Sequence, residues 1–188
     1  MPQLAPADVA ILFADLQDSI VGHAATADEA SIRKSAGALA GVARDLGLPA
    51  FASVVPFGTD DPRPIAEITA ALPDIPILKR GGPAVFAHAP SREALLGTGR
   101  RVLAIAGVAS EVVVLHAALA ARSASLDVHV LLDASGGFSD RTEAAALREI
   151  EAAGGITSSV ASFATRLADT FDTREGQAAM GALVRLMG

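Results

Sequence analysis

Runs of consecutive hydrophobic residues alternate along the chain with segments in which hydrophobic residues recur every three or four positions. The runs predict six strands, at residues 9–17, 49–56, 76–79, 101–108, 127–133 and 156–161. The intervening segments predict helices, at residues 31–46, 64–72, 91–96, 111–122 and 141–153, and two more helices follow at 163–168 and 174–187. Strands that alternate with helices are typical of a parallel sheet covered on both faces. We therefore expect an α/β fold in a single domain that spans residues 1–188.

Composition excludes several classes of protein. Hydrophobic residues make up 51% of the chain and charged residues 19%, which excludes global disorder. The net charge of −6, without a basic block, argues against a nucleic-acid partner. We find neither a long uncharged apolar run nor a signal-peptide pattern, so we expect no membrane partner and a cytoplasmic location. The chain has no cysteine, which excludes disulfides, thiolate metal sites and a cysteine nucleophile.

Common cofactor and metal motifs are absent from the sequence. It contains no G-x-G-x-x-G, Walker A, G-x-S-x-G or H-E-x-x-H pattern. The four histidines, His23, His88, His116 and His129, show no metal-ligand spacing. We therefore expect no metal and no cofactor, and the missing glycine signatures disfavour a flavodoxin-like or nucleotide-binding domain.

Candidate chemistry lies where predicted strands end, because ligands bind parallel α/β sheets at the carboxyl ends of their strands. Asp15 ends the first strand, where partial burial raises a carboxyl pKa and suits the group to proton transfer. Lys79 ends the third strand and offers a compact positive charge. The alternatives are that Asp15 is a turn residue and Lys79 a solvated surface lysine. The turn at 107–110 leads into a helix whose first N–H groups favour an anion, but Val113 in that first turn has no nucleophilic atom.

Three segments together resemble the isochorismatase-like, or cysteine hydrolase, superfamily. They are FADLQ, LKRGGPAVF and AGVASEVVVLHAALAA, and the later DASGGFSDRTEAAALREIEAAGGITS and REGQAAM resemble its YcaC-related subgroup. The resemblance implies a three-layer α/β/α sandwich, Rossmann-like, with a six-stranded parallel sheet, assembled into oligomers. It also implies an Asp–Lys–Cys triad, with Asp15 and Lys79 as the first two members and Val113 at the position of the nucleophile.

The resemblance also implies further site residues. A cis peptide before the nucleophile helix, here Val108–Ala109, would form an oxyanion hole with the backbone of Val113. The second strand is not followed by the D-x-H metal element of the nicotinamidase branch. Six residues are candidates for substrate binding: Gln17, Phe86, His88, Ser110, His116 and Phe138.

Two functions remain open at this point. The first is a hydrolase without a covalent step, in which Asp15 acts as general acid on a small molecule and Lys79 steadies the charges. The alternative is a catalytically inactive pseudoenzyme that serves as a binding or structural oligomer. The mean hydropathy of +0.43 also favours a homo-oligomer. The last two helices pack either in the subunit interface or on the sheet of their own chain.

Overall fold

The sheet contains six strands, all parallel, in the order β3-β2-β1-β4-β5-β6. It is seen in a computed structural model of the chain, which describes residues 3–58 and 61–188. The strands are β1 Val9–Ala14, β2 Ala50–Val54, β3 Ile77–Lys79, β4 Val102–Gly107, β5 Asp127–Leu131 and β6 Ile156–Ser158. All six predicted strands are present, and the predicted α/β fold is confirmed.

Helices connect the strands. They are α1 Asp18–Val21, α2 Glu29–Leu46, α3 Ala66–Ala71, α4 Ala89–Leu96, α5 Leu115–Ser123, α6 Asp140–Ala152, α7 Val160–Thr165 and α8 Arg174–Met187. A π-helical turn, Ser110–Val114, directly precedes α5. The expectation that 156–161 is strand throughout was wrong at its end. Ser159 caps α7 by accepting a hydrogen bond from the Ser162 N–H (3.1 Å), so the chain turns helical at Val160 despite its β-branched side chain.

The side chains of the central strands alternate between two helical layers. Val9, Ile11 and Phe13 belong to the core cluster formed with α2, α3, α7 and α8. Leu12 and Ala14 belong to the cluster formed with α4, α5 and α6. All six residues of β1 are buried, as expected for a parallel strand covered on both faces. The three-layer α/β/α sandwich implied by the resemblance is therefore present.

The last helix covers its own chain with one face and exposes the other. Ala178, Ala179 and Ala182 of α8 are buried, and the helix packs on α2 and α7. Val184 and Met187 are 58% and 77% exposed. The inner face of α8 therefore packs on its own chain, which was one of the two predicted arrangements. Its outer face leaves apolar side chains uncovered in the isolated chain.

The strand order places a crevice at the centre of the sheet. The chain moves outward in one direction from β1 through β2 to β3 and then returns to the other side of β1 with β4. In open parallel sheets ligands bind at this reversal, outside the carboxyl ends of the strands. The segments after β1 and β4 therefore border this crevice. Among the described residues, no helix is both long and apolar enough to span a membrane.

Candidate functional site

Asp15 lies directly after β1 and is 6% exposed. Its φ of +55° is in the left-handed region, which aspartate tolerates better than most residues, and its N–H donates to the Ser53 carbonyl (3.0 Å). One carboxylate oxygen accepts a hydrogen bond from the Ser53 hydroxyl (3.2 Å), and the other pairs with a guanidinium nitrogen of Arg80. Burial raises the pKa of Asp15, while the Arg80 charge and the two hydrogen bonds oppose that rise. The net shift is upward, which favours proton exchange nearer neutral pH.

Arg80, not Lys79, is the cation beside Asp15. The resemblance places Lys79 in the triad with Asp15, but the Lys79 side chain is 61% exposed and its Nζ lies 3.1 Å from Asp61. Side chains alternate along β3, so neighbouring residues leave the strand on opposite sides. The Arg80 N–H continues the pairing with β2 by donating to Val54 (3.0 Å), and its side chain, 1% exposed, turns inward to Asp15 and the Gly82 carbonyl. Lys79 is therefore the solvated lysine of the alternative interpretation.

The turn after β4 carries the expected backbone feature. The peptide bond Val108–Ala109 is cis, as the resemblance implies. Ser110 N–H donates to the Gly136 carbonyl (2.9 Å), which anchors the turn against the segment after β5. The π-helical turn Ser110–Val114 follows at once and carries Val113, which is 1% exposed. A valine side chain thus stands at the position that the resemblance assigns to the nucleophile.

A pocket of about 350 Å³ joins these segments. Asp15 is the one acidic side chain among the described residues that line it. Val108, Ala109 and Val113, three predicted site residues, line it together with two residues that sequence reasoning missed, Ile20 and Val112. The structure therefore brings together the predicted acid, the predicted cis peptide and the predicted nucleophile position around one cavity, which Val113 does not fill.

Three exposed rings form the mouth of the pocket: His23, Phe57 and Phe138. Phe138 was predicted, whereas His23 and Phe57 were not. The His23 and Phe57 rings meet edge to face, with centroids 5.3 Å apart. Glu111 holds the Phe138 backbone by accepting its N–H (2.9 Å). The mouth is therefore aromatic and half open to solvent.

Two predicted ligand-binding residues instead have structural roles. The Gln17 amide binds the residue directly after β2 by donating to the Val55 carbonyl (3.0 Å) and accepting from the Val55 N–H (2.8 Å), so both of its polar atoms are used. The buried Ser110 hydroxyl donates to Glu143 (2.7 Å), which ties the π-helical turn to α6. Neither side chain lines the pocket.

Three other predicted residues also lie outside the pocket lining. Phe86 is 7% exposed and packs within the hydrophobic core. His88 stands at the start of α4 with its Nδ1 2.8 Å from the Ser91 hydroxyl. His116 is exposed on α5, three positions beyond the buried Val113. These three side chains therefore do not border this pocket, and their role in substrate binding stays a prediction.

His129 lies away from the pocket, on β5, and is 1% exposed. Its ring packs against Phe163 with centroids 5.7 Å apart. Burial, with the nearby Arg166 charge, lowers the pKa of His129 to about 4. It is a neutral core histidine at pH 7. Within residues 3–58 and 61–188, no three histidine, aspartate or glutamate side chains are grouped as metal ligands.

Comparison with known proteins identifies the family of the chain. The isochorismatase domain family matches residues 9–162. The probable hydrolase YcaC of Escherichia coli K12 is 31% identical over 149 residues, which cover 78% of this chain and 71% of that protein.

Solved structures of YcaC proteins share the whole fold. YcaC from Pseudomonas aeruginosa, solved with hexane-2,5-diol and covalent acrylamide, superposes with a TM-score of 0.88 at 26% identity, covering 98% of this chain and 94% of that one. The E. coli YcaC gene product, an octameric hydrolase of unknown specificity, superposes with a TM-score of 0.87 at 26% identity, covering 98% and 89%. On the family match and the YcaC likeness, the chain belongs to the isochorismatase domain family and is a hydrolase-like protein related to YcaC.

Proposed function

We propose that this protein hydrolyses a small molecule without a covalent enzyme intermediate, with Asp15 as the group that moves the proton. The observation that carries the proposal is the buried Asp15 carboxyl on the wall of an open pocket, beside Val113, in a chain without cysteine. A hydrolase of this family that lacks the thiol needs another nucleophile, and solvent water can serve as one.

Asp15 alone can accept and return the proton that this reaction transfers. The Asp15 carboxylate takes a proton from the water molecule whose oxygen bonds to the substrate carbon. The bond between that carbon and the leaving group then breaks, and the leaving group takes the same proton from Asp15. For a vinyl ether the order reverses, so that the protonated Asp15 acts first as general acid. Burial, which raises the Asp15 pKa, suits the carboxyl to both roles.

Arg80 is a positioning residue in this proposal. A guanidinium keeps its proton at all relevant pH values, so Arg80 does not shuttle protons as a lysine can. It holds one Asp15 oxygen and balances the carboxylate charge, while Ser53 holds the other oxygen. The Asp15 carboxyl is thereby fixed in one orientation, which general acid–base catalysis requires.

The comparisons support a small-molecule substrate and an oligomer. The P. aeruginosa YcaC structure contains hexane-2,5-diol and covalent acrylamide, and the E. coli protein is an octamer. We propose that this chain acts as a cytoplasmic homo-oligomer, because Phe171, Val184 and Met187 leave apolar surface exposed on the isolated chain. Light scattering after size-exclusion chromatography tests this assembly, and a monomer at micromolar concentration would refute it.

The experiment for the reaction screens small amides, esters and vinyl ethers for hydrolysis by the wild type, Asp15→Asn and Lys79→Met. We expect Asp15→Asn to lower kcat by about 10²–10⁴-fold, since general acid–base catalysis contributes that much. Lys79→Met is the matched control, and its kcat should equal that of the wild type because Lys79 lies on the surface. Intact-mass spectrometry during turnover should show no covalent adduct. An Asp15→Asn enzyme of full activity, or an acylated protein, would overturn the proposal.

A ligand-binding protein without turnover is the second candidate, and Val113 favours it. Its buried side chain gives the position no nucleophilic atom. In this case the wild type hydrolyses nothing in the screen, while Val113→Cys gains weak activity and an alkylatable thiol. Clear turnover by the wild type decides for the hydrolase.

A further inference from the structure

The pocket lining is almost entirely apolar. Of its nine lining residues, five are aliphatic and two are phenylalanines, and only Asp15 and His23 carry titratable groups. Asp15 is 6% exposed, whereas Phe57 and Phe138 are 48% and 56% exposed, so Asp15 lies deep and the rings lie at the mouth. A molecule in this pocket is therefore surrounded by hydrocarbon except where it meets the Asp15 carboxyl in the interior or the His23 ring at the mouth.

The charge of the acidic lining group, Asp15, is already balanced. Arg80 pairs with one Asp15 oxygen from behind the pocket wall, and the Ser53 hydroxyl bonds the other. Among residues 3–58 and 61–188, no lysine or arginine lines the cavity to pair with a carboxylate ligand. An ammonium ligand would compete with Arg80 for a carboxylate that is already neutralised. Burial of a charge without a partner is strongly unfavourable.

From these two features we infer that the pocket selects small uncharged molecules, of single-ring size, that carry one N–H or O–H donor for Asp15. The inference rests on the proposed function only in that both use the same pocket. Each Asp15 oxygen has accepting capacity beyond the bond it already makes, so a neutral donor adds a hydrogen bond without upsetting the charge balance.

The size of the cavity limits the ligand. About 350 Å³ is at the lower end of the range for ligand pockets, and a cavity of about 150 Å³ already holds benzene. A single ring with a short polar substituent therefore fits. The edge-to-face pair of His23 and Phe57 at the mouth offers further ring contacts to such a molecule.

Three probes of the same shape test the inference: benzamide, benzoate and benzamidine, which are neutral, anionic and cationic at pH 7. Binding is measured by ligand-observed NMR and isothermal titration with the full-length protein. We expect benzamide to bind at least tenfold more tightly than either charged probe. Equal or tighter binding of benzoate or benzamidine, or no benzamide binding at millimolar concentration, overturns the inference.

A charge placed at the mouth provides the second arm. Phe138 is 56% exposed, so Phe138→Lys is compatible with folding, and a circular dichroism melt checks this. The added cation should reduce the preference for benzamide over benzoate by at least threefold, whereas Phe138→Leu should keep it. An unchanged preference in Phe138→Lys overturns the role of charge balance.

Failure of this inference and failure of the proposed function give different results. Benzamide that binds selectively but is never hydrolysed, with no turnover of other neutral compounds, supports the inference and contradicts the hydrolase. Asp15-dependent turnover of charged substrates alone supports the hydrolase and contradicts the inference.

Discussion

Replacing Arg80 with methionine tests whether the buried pair holds the site together. The Arg80 side chain is 1% exposed and that of Asp15 is 9% exposed, so Arg80→Met leaves a carboxylate without a counter-charge where little water reaches it. Removal of one partner of a buried ion pair costs about 3–5 kcal/mol. We expect the free energy of unfolding at pH 7 to fall by about that amount. With a urea m-value of about 2 kcal/mol per M, the midpoint moves down by about 2 M.

The assay is urea unfolding followed by circular dichroism, at one fixed protein concentration because assembly shifts apparent stability. Lys79→Met is the matched control: it removes the neighbouring cation, whose partner Asp61 is exposed, so its midpoint should move only slightly. The double variant Asp15→Asn with Arg80→Met should be more stable than Arg80→Met alone, because no buried charge remains.

The penalty of Arg80→Met also depends on pH, with a defined sign. Burial raises the pKa of Asp15 in the folded state, and without Arg80 nothing of comparable strength opposes that rise. A carboxyl with a raised pKa stabilises the fold below its unfolded pKa and loses that contribution as pH rises through the folded pKa. The difference in the free energy of unfolding between Arg80→Met and the wild type should therefore be smaller at pH 5 than at pH 7. Equal midpoints for the Arg80 and Lys79 variants, or a double variant no more stable than Arg80→Met, would refute the reasoning.

Three further predictions concern stability and use the same unfolding assay. Because the pKa of His129 is lowered to about 4, its neutral form stabilises the fold above pH 6.5 and this contribution is lost as pH falls; about 2 kcal/mol should disappear between pH 7 and pH 5. His129→Phe should reduce this loss of stability between pH 7 and pH 5, whereas His116→Gln, at an exposed position, should leave it unchanged. An unchanged loss in His129→Phe would contradict the role of His129. Gly107→Ala should cost about 1–3 kcal/mol, since its Cβ would collide with the Ala14 carbonyl, and a neutral result would show that β1 and β4 separate easily. Gly181→Ala, with open space in α8, should instead stabilise by about 0.5–1 kcal/mol, and a loss of stability would indicate that this face is covered in the assembly.

The choice between Lys79 and Arg80 shows where sequence reasoning reaches its limit. Both residues follow β3, and side-chain direction changes with every residue along a strand. A shift of one position in the register with β2 exchanges an inward side chain for an outward one. The pairing of Val54 with Lys79 decides the outcome, and no local pattern in a three-residue strand reveals it.

The mouth of the pocket illustrates a second limit. His23 follows α1 and Phe57 follows β2, each in a connecting segment without periodicity. Nothing in the sequence links two residues that are 34 positions apart. Their rings meet because β1 and β2 are neighbours and their following segments share one edge of the sheet. Of the three rings at the mouth, only Phe138 could be predicted from the sequence, because its segment resembles the YcaC-related subgroup.

The sequence by itself determined the strand and helix order, the family, the acid at the end of β1 and the absence of any thiol. Periodicity, composition and contiguous motifs are local properties, so they are readable along one chain. Only the tertiary structure decided that Arg80 rather than Lys79 pairs with Asp15, and that Gln17 and Ser110 support the scaffold while His23 and Phe57 border the pocket. Those outcomes depend on register and on contacts between segments distant in sequence, where a rotation of one residue changes which side chain meets the cavity.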